Sequence, residues 1–82
     1  MGCWVYILRC ADNTLYTGVA ADVEKRLEQH NSGRGAKYTR GRGPVSVVYH
    51  QLCPDRSTAL RREAAIKKLT RQQKEELIEQ TK

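Results

Sequence analysis

Eighty-two residues, 39% of them hydrophobic and grouped into periodic segments, suffice for one folded domain over residues 1–82 and no more. Fifteen Lys and Arg against nine Asp and Glu leave a net charge of +6; this favours a polyanionic partner, nucleic acid first, with a basic surface kept for solubility as the competing reading. Three cysteines without a C-x-x-C pair, two histidines away from zinc-finger spacing, and no signal-like or bilayer-length apolar run argue against a disulfide framework, structural zinc and a membrane partner, leaving a cytoplasmic setting as the expectation.

Residues 3–8, Cys-Trp-Val-Tyr-Ile-Leu, are apolar, aromatic and β-branched, the pattern of a strand covered on both faces. Ala11-Asp12-Asn13-Thr14 is turn chemistry, and residues 15–19 form a second strand that closes a hairpin. Strand alternation across this short loop brings Tyr6 and Tyr16 near each other on one face. Asp22 then caps a helix to about Asn31, with Gly33 as a stop. Its inward stripe is Val23, Leu27 and His30. Arg26 borders that stripe one turn before His30, so the two can address the same spot. Both also fit a plain reading, Arg26 as a side chain snorkelling at the core edge and His30 as a hydrogen-bonded boundary residue.

The stretch 33–44 interleaves four cations, Arg34, Lys37, Arg40 and Arg42, and one aromatic, Tyr38, with four glycines. It suits a nucleic-acid backbone, Tyr38 being available to stack on a base, and its composition equally suits a solvated loop. Residues 45–49 make a third strand, continuing toward Leu52. A helix then starts at Asp55 or Ser57 and carries Ala59, Leu60, Ala64 and Ile66 on one apolar arc. Glu63 falls in the middle of this arc, where a carboxylate costs free energy unless it is compensated. An ion pair with Lys67, one turn later, is one explanation. Presentation to a divalent metal on the floor of a cleft is the other. Thr70-Arg71-Gln72-Gln73 is a capping box for a last helix with Leu77 and Ile78 as its apolar anchors, hence expected to be peripheral. The order strand, strand, helix, strand, helix, helix implies an α+β fold, a small three-stranded antiparallel sheet flanked by helices.

Tyr6, Tyr16, Arg26, His30 and Glu63 are each an unusual polar presence on an inward-facing surface. With both helices covering the sheet they would converge on one cleft, and the set fits metal-assisted phosphodiester hydrolysis. The sequence has no serine-triad signature and too few convergent carboxylates for two metals. A single Glu suits one Mg²⁺ or Mn²⁺ that keeps most of its waters. A tyrosine acting as base needs help from nearby positive charge or a hydrogen bond, because its ordinary pKa is about 10.

Trp4-Val5-Tyr6, Tyr16-Thr17-Gly18, Arg26, His30 and Glu63, in that order and spacing, resemble the GIY-YIG nuclease domain, in particular its small stand-alone bacterial members. The resemblance covers the chain from Trp4 to about Ile78. It implies a three-stranded sheet flanked by helices and divalent-metal-dependent endonuclease cleavage of nucleic acid, usually DNA. It also implies the paired catalytic tyrosines at Tyr6 and Tyr16, the transition-state arginine at Arg26, its partner at His30 and the sole metal ligand at Glu63. Trp4-Val5 stands where the motif has Gly-Ile, Thr17 where it has Ile, and Val19 where excision-repair relatives have lysine. The expected activity is structure- rather than sequence-selective DNA processing or repair, recognised through backbone or shape. Its rivals are a non-catalytic nucleic-acid-binding module, on RNA in one version, and an adaptor docking a protein.

Overall fold

The computed structural model describes residues 2–32 and 43–80. They form three strands and three helices: β1 (Cys3–Arg9), β2 (Leu15–Ala20), α1 (Val23–Asn31), β3 (Ser46–Cys53), α2 (Arg56–Lys67) and α3 (Arg71–Gln80). The expected α+β architecture and element order are present. The sheet is antiparallel with β1 in the centre, in the order β2-β1-β3. A central position explains why β1 is buried along most of its length, with Val5, Tyr6, Ile7 and Leu8 essentially inaccessible.

The β1–β2 turn follows from its residues. Asn13 adopts φ 69°, a left-handed conformation that Asn tolerates better than most side chains. The Asp12 carboxylate accepts from the Thr14 amide at 3.1 Å and hydroxyl at 2.6 Å. The register that results pairs Tyr6 with Gly18 and Leu8 with Tyr16. Directly paired residues share a face. Trp4, Tyr6, Leu8, Tyr16 and Gly18 therefore lie on one side of the sheet, and Cys3, Val5, Ile7, Thr17 and Val19 on the other. On β3, Ile7 pairs with Tyr49 but Leu8 with Val47, so Val48 is the extra residue of a bulge. The bulge lets Val47 join the first face while Val48 and Tyr49 pack against the second.

Helix α1 covers the first face with Val23 and Leu27, over Tyr6, Leu8, Cys10 and Val45. Its cap is Asp22, whose carboxylate accepts from the Lys25 amide at 3.1 Å. At its other end the Asn31 amide holds Val45 at two points, accepting from its N–H at 2.7 Å and donating to its carbonyl at 3.2 Å. Helices α2 and α3 cover the second face through Ala59, Ile66 and Ile78. Of the two candidate starts of α2, Asp55 is the one used, accepting from the Thr58 amide at 2.7 Å. The capping box of α3 closes reciprocally, Thr70 N–H to Gln73 Oε1 at 3.0 Å and Gln73 N–H to Thr70 Oγ1 at 3.2 Å.

Three expectations need correction. The buried stripe of α2 is narrower than the arc read from sequence, because Leu60 is 41% exposed and Ala64 is exposed as well. Only Ala59 and Ile66, two turns apart, are fully buried, with Glu63 half-buried between them. Strand β3 runs to Cys53, beyond Leu52, because Cys53 pairs with Cys3. Finally, α3 is anchored rather than peripheral. Ile78 is 2% exposed inside the second core, and the Arg9 guanidinium grips Glu75 with two bonds of 2.6 and 3.1 Å. Arg71 adds a third cationic contact to Glu75 at 3.0 Å. Together these guanidinium bonds hold the Glu75 carboxyl down at about 2.

Candidate active site

Tyr6 is the centre of the polar cluster. Its ring lies across Gly18, the residue opposite it on β2. A Cβ at Gly18 would stand 2.6 Å from the Tyr6 hydroxyl oxygen, 2.8 Å from Cζ and 3.1 Å from Cε2 of Tyr16. Any larger residue there collides with both phenols. The glycine is thus required by a close approach of side chains, not by a turn.

From α1, His30 brings Nε2 to 3.2 Å from the Tyr6 hydroxyl. The imidazole is 2% exposed and also lies against Tyr16, with ring centroids 5.3 Å apart. Arg26, one turn earlier, favours the ionised phenol of Tyr6 against the effect of burial. Its Nη1 donates to Gln29 Oε1 at 2.9 Å, which braces the guanidinium along the helix. Gln29 is a supporting residue that sequence reasoning passed over, although its position three residues after Arg26 on a helix was the available signal.

Helices α1 and α2 sit on opposite faces of the sheet, contrary to a single cleft floored by both. The Glu63 side chain is 19% exposed and pairs with Lys67 at 3.6 Å, so the ion pair read from the sequence is present. Its charge is the smallest of the influences on the Tyr6 pKa. His30 touches Tyr6 and Tyr16, while Arg26 and Glu63 act on the phenol through their charges.

Protonation follows from these surroundings. Burial raises the Tyr6 pKa above its ordinary value, and Tyr16 and Glu63 push the same way. The hydrogen bond and charge of Arg26 oppose them without prevailing. For His30, burial first and the Arg26 charge second depress the pKa below the usual 6.5, so the imidazole is neutral at pH 7. At 3.2 Å the phenol and His30 Nε2 share one hydrogen bond whose direction is set by the imidazole tautomer. In the Nδ1-protonated tautomer the neutral imidazole can receive the proton of a neutral tyrosine.

Metal chemistry would have to rest on few ligands. Among the described residues no three His, Cys, Asp or Glu side chains are grouped to hold an ion. Glu63 is partly exposed and, among the described residues, pairs with the flexible ammonium of Lys67. That donor set fits a hard, largely hydrated ion taking one carboxylate, not a zinc cage. The predicted nucleic-acid contacts Arg34, Lys37, Tyr38, Arg40 and Arg42 lie outside the described residues. A cavity of about 610 Å³ between the start of α1 and β3 is lined by Trp4, Val23, Leu27, Val47 and His50 with Asp22 and Glu24. None of Tyr6, Tyr16, Arg26, His30 and Glu63 lines it.

Comparison with known proteins identifies the family of this fold. Residues 2–76 match the model of the GIY-YIG catalytic domain. A UPF0213 protein of Clostridium perfringens is 56% identical over 75 residues, covering 92% of this chain and 81% of the relative. A UPF0213 protein of Haloquadratum walsbyi is 52% identical over 77 residues, covering 94% and 86%. The solution NMR structure of a UPF0213 protein from Bacillus halodurans superposes with a TM-score of 0.62 at 47% identity, covering 96% of this chain and 84% of that one. An E. faecalis protein, also solved by NMR, gives 0.66 at 42% identity, covering 99% and 86%. The chain therefore belongs to the GIY-YIG catalytic domain family, a nuclease superfamily, with small UPF0213 proteins of bacteria and archaea among its relatives.

Proposed function

We propose that this protein is a divalent-metal-dependent endonuclease that hydrolyses phosphodiester bonds in DNA, selecting structure rather than sequence. The observation that carries the reading is the Tyr6 hydroxyl, held 3.2 Å from His30 Nε2, with the Arg26 charge acting on the phenol. In this scheme a water gives its proton to the Tyr6 oxygen as Tyr6 passes its own to His30. The raised phenol pKa favours this concerted transfer over a standing tyrosinate. Arg26, braced by Gln29, offsets charge building on the phosphate oxygens. Tyr16 walls the site and fixes the imidazole plane. Glu63 would hold one Mg²⁺ or Mn²⁺, and the bound ion supplies Lewis-acid polarisation of the phosphate and stabilises the departing 3′ oxygen. A cytoplasmic repair or processing role fits the cysteines, since Cys3 and Cys53 face one another across β1 and β3 as buried free thiols.

The test is cleavage of labelled flaps, junctions, duplexes, single strands and RNA with Mg²⁺ or Mn²⁺. Product should vanish with EDTA and fall about 10³-fold in Glu63→Ala, with binding retained. The Glu63–Lys67 pair at 3.6 Å favours a second reading, a non-catalytic nucleic-acid-binding module, on RNA in one version. That reading is right if no substrate is cut at any metal concentration while Glu63→Ala binds as well as wild type.

A further inference from the structure

Four hollows on the described surface differ in the charge of their walls. The 610 Å³ groove beside α1 carries Asp22 and Glu24. One of about 530 Å³ along α3 carries Glu75, Glu76 and Glu79. On the outer face of α1, Lys25 and Arg26 share a third with Glu28. The fourth, about 350 Å³, lies against β2 and is lined by Leu15, Tyr16, Thr17, Lys67 and Lys74. It alone of the four has cations and no acid. A polyanion is repelled by the first two and drawn to the last.

Position sharpens this. Tyr16 is the shared wall, facing His30 at 5.3 Å on one side and lining the lysine hollow on the other. Lys67 likewise touches both places, pairing with Glu63 at 3.6 Å. Lys74 comes from α3, which the Arg9–Glu75 bonds hold against the sheet, and is half-buried. Its ammonium is thus presented from a fixed helix, with less side-chain freedom to lose on binding than a fully exposed lysine.

We propose that this β2-edge hollow is a phosphate-binding subsite for the nucleic-acid strand, with Lys67 and Lys74 gripping a backbone phosphate beside the one that is attacked. The subsite deepens the proposed nuclease reading: it sets the path of the strand, across the β2 edge from the Tyr6 cluster toward α3. Lysines at a phosphate act as point charges and read no base, in keeping with recognition through the backbone.

The test measures binding of a fluorescein-labelled flapped DNA duplex by anisotropy, in EDTA, between about 50 and about 200 mM salt. Lys74→Gln is compared with Arg56→Gln, which removes the same charge from an exposed position at the start of α2. Lys74→Gln should weaken binding about three- to tenfold and lower the slope of log affinity against log salt by about one, with Arg56→Gln changing both far less. Lys67→Gln should lower the slope similarly, and the double variant should lower it by about two. Equal slopes in Lys74→Gln and Arg56→Gln would overturn the subsite. Thermal melts of the variants show that a loss is not unfolding, since Gln is nearly as good a helix former as Lys. The readout needs no cleavage. A slope change without any DNA cutting would sink the nuclease reading and keep the subsite, whereas cutting with equal slopes would do the reverse.

Discussion

The two faces of the sheet are built from the same three strands and solve different problems. Under α2 and α3, Val5, Ile7, Tyr49, Ala59, Ile66 and Ile78 make a mainly apolar core, with the Tyr49 hydroxyl donating to Gln51 at 2.8 Å and Thr17 buried on the same face. Under α1 the same depth of burial is given to Tyr6 and His30. Burying those groups costs free energy that the hydrogen bond between them helps to offset. The first face supplies cohesion, and the second uses it to hold polar groups where water would otherwise loosen them. Glu63 and Lys67 belong by helix to the cohesive face and by position to the chemical one, because the β2 edge separates the two by a single glycine-bearing strand.

The largest separation of the two faces should come from Ile78→Ala. Deleting a side chain that is 2% exposed should cost about 2–5 kcal/mol in denaturant unfolding, while activity per folded molecule stays near wild type. A drop in turnover as large as the drop in stability would show that the faces are not separable. Gly18→Ala should do the opposite. Its Cβ, 2.6 Å from the Tyr6 oxygen, must displace the phenol at a cost of about 1–3 kcal/mol. An ångström-scale shift of that oxygen would cut turnover about 100-fold. Unchanged turnover in a folded Gly18→Ala protein would remove Tyr6 from the mechanism.

Acid should affect the faces in separate windows. His30 has a folded pKa below its unfolded 6.5, so the unfolded chain takes up the proton first. Its contribution to stability is complete above about pH 6.5 and declines as pH falls below that, with turnover declining as Nε2 loses its acceptor role. Glu75, held at about 2 against an ordinary 4.5, contributes above about pH 4.5 and loses that contribution as pH falls toward 2. Melting temperatures across this range should show two steps in wild type, with the lower one reduced in Glu75→Gln and what remains of it owed in part to Asp55, whose pKa its bonds to Thr58 also depress. The smallest effect should be Leu60→Ala, within about 0.5 kcal/mol by the same unfolding measurement. A loss above 1 kcal/mol would restore Leu60 to the core and widen the buried stripe of α2.

Local chemistry accounts for what the amino-acid sequence determined by itself. Strand alternation, the Asp-Asn turn, Asp22 and Asp55 as caps and the Thr70–Gln73 box act within a few residues, so their geometry is written in short stretches of chain. The same alternation put Tyr6 and Tyr16 on one face, and helical spacing put Arg26 and His30 on one side of α1. What only the tertiary structure decided involves partners far apart in the chain. Leu60 and Ala64 face solvent because a sheet flanked by two helices has room for only one narrow line of α2. Ile78 is buried because α3 packs on the second face of the sheet, where Arg9 also binds Glu75. Glu63 lies on the helix opposite α1 rather than in a cleft between the two, and that depends on which face each helix chose. The neutral state of His30 likewise reflects burial by the whole fold, since desolvation belongs to a site and not to a residue.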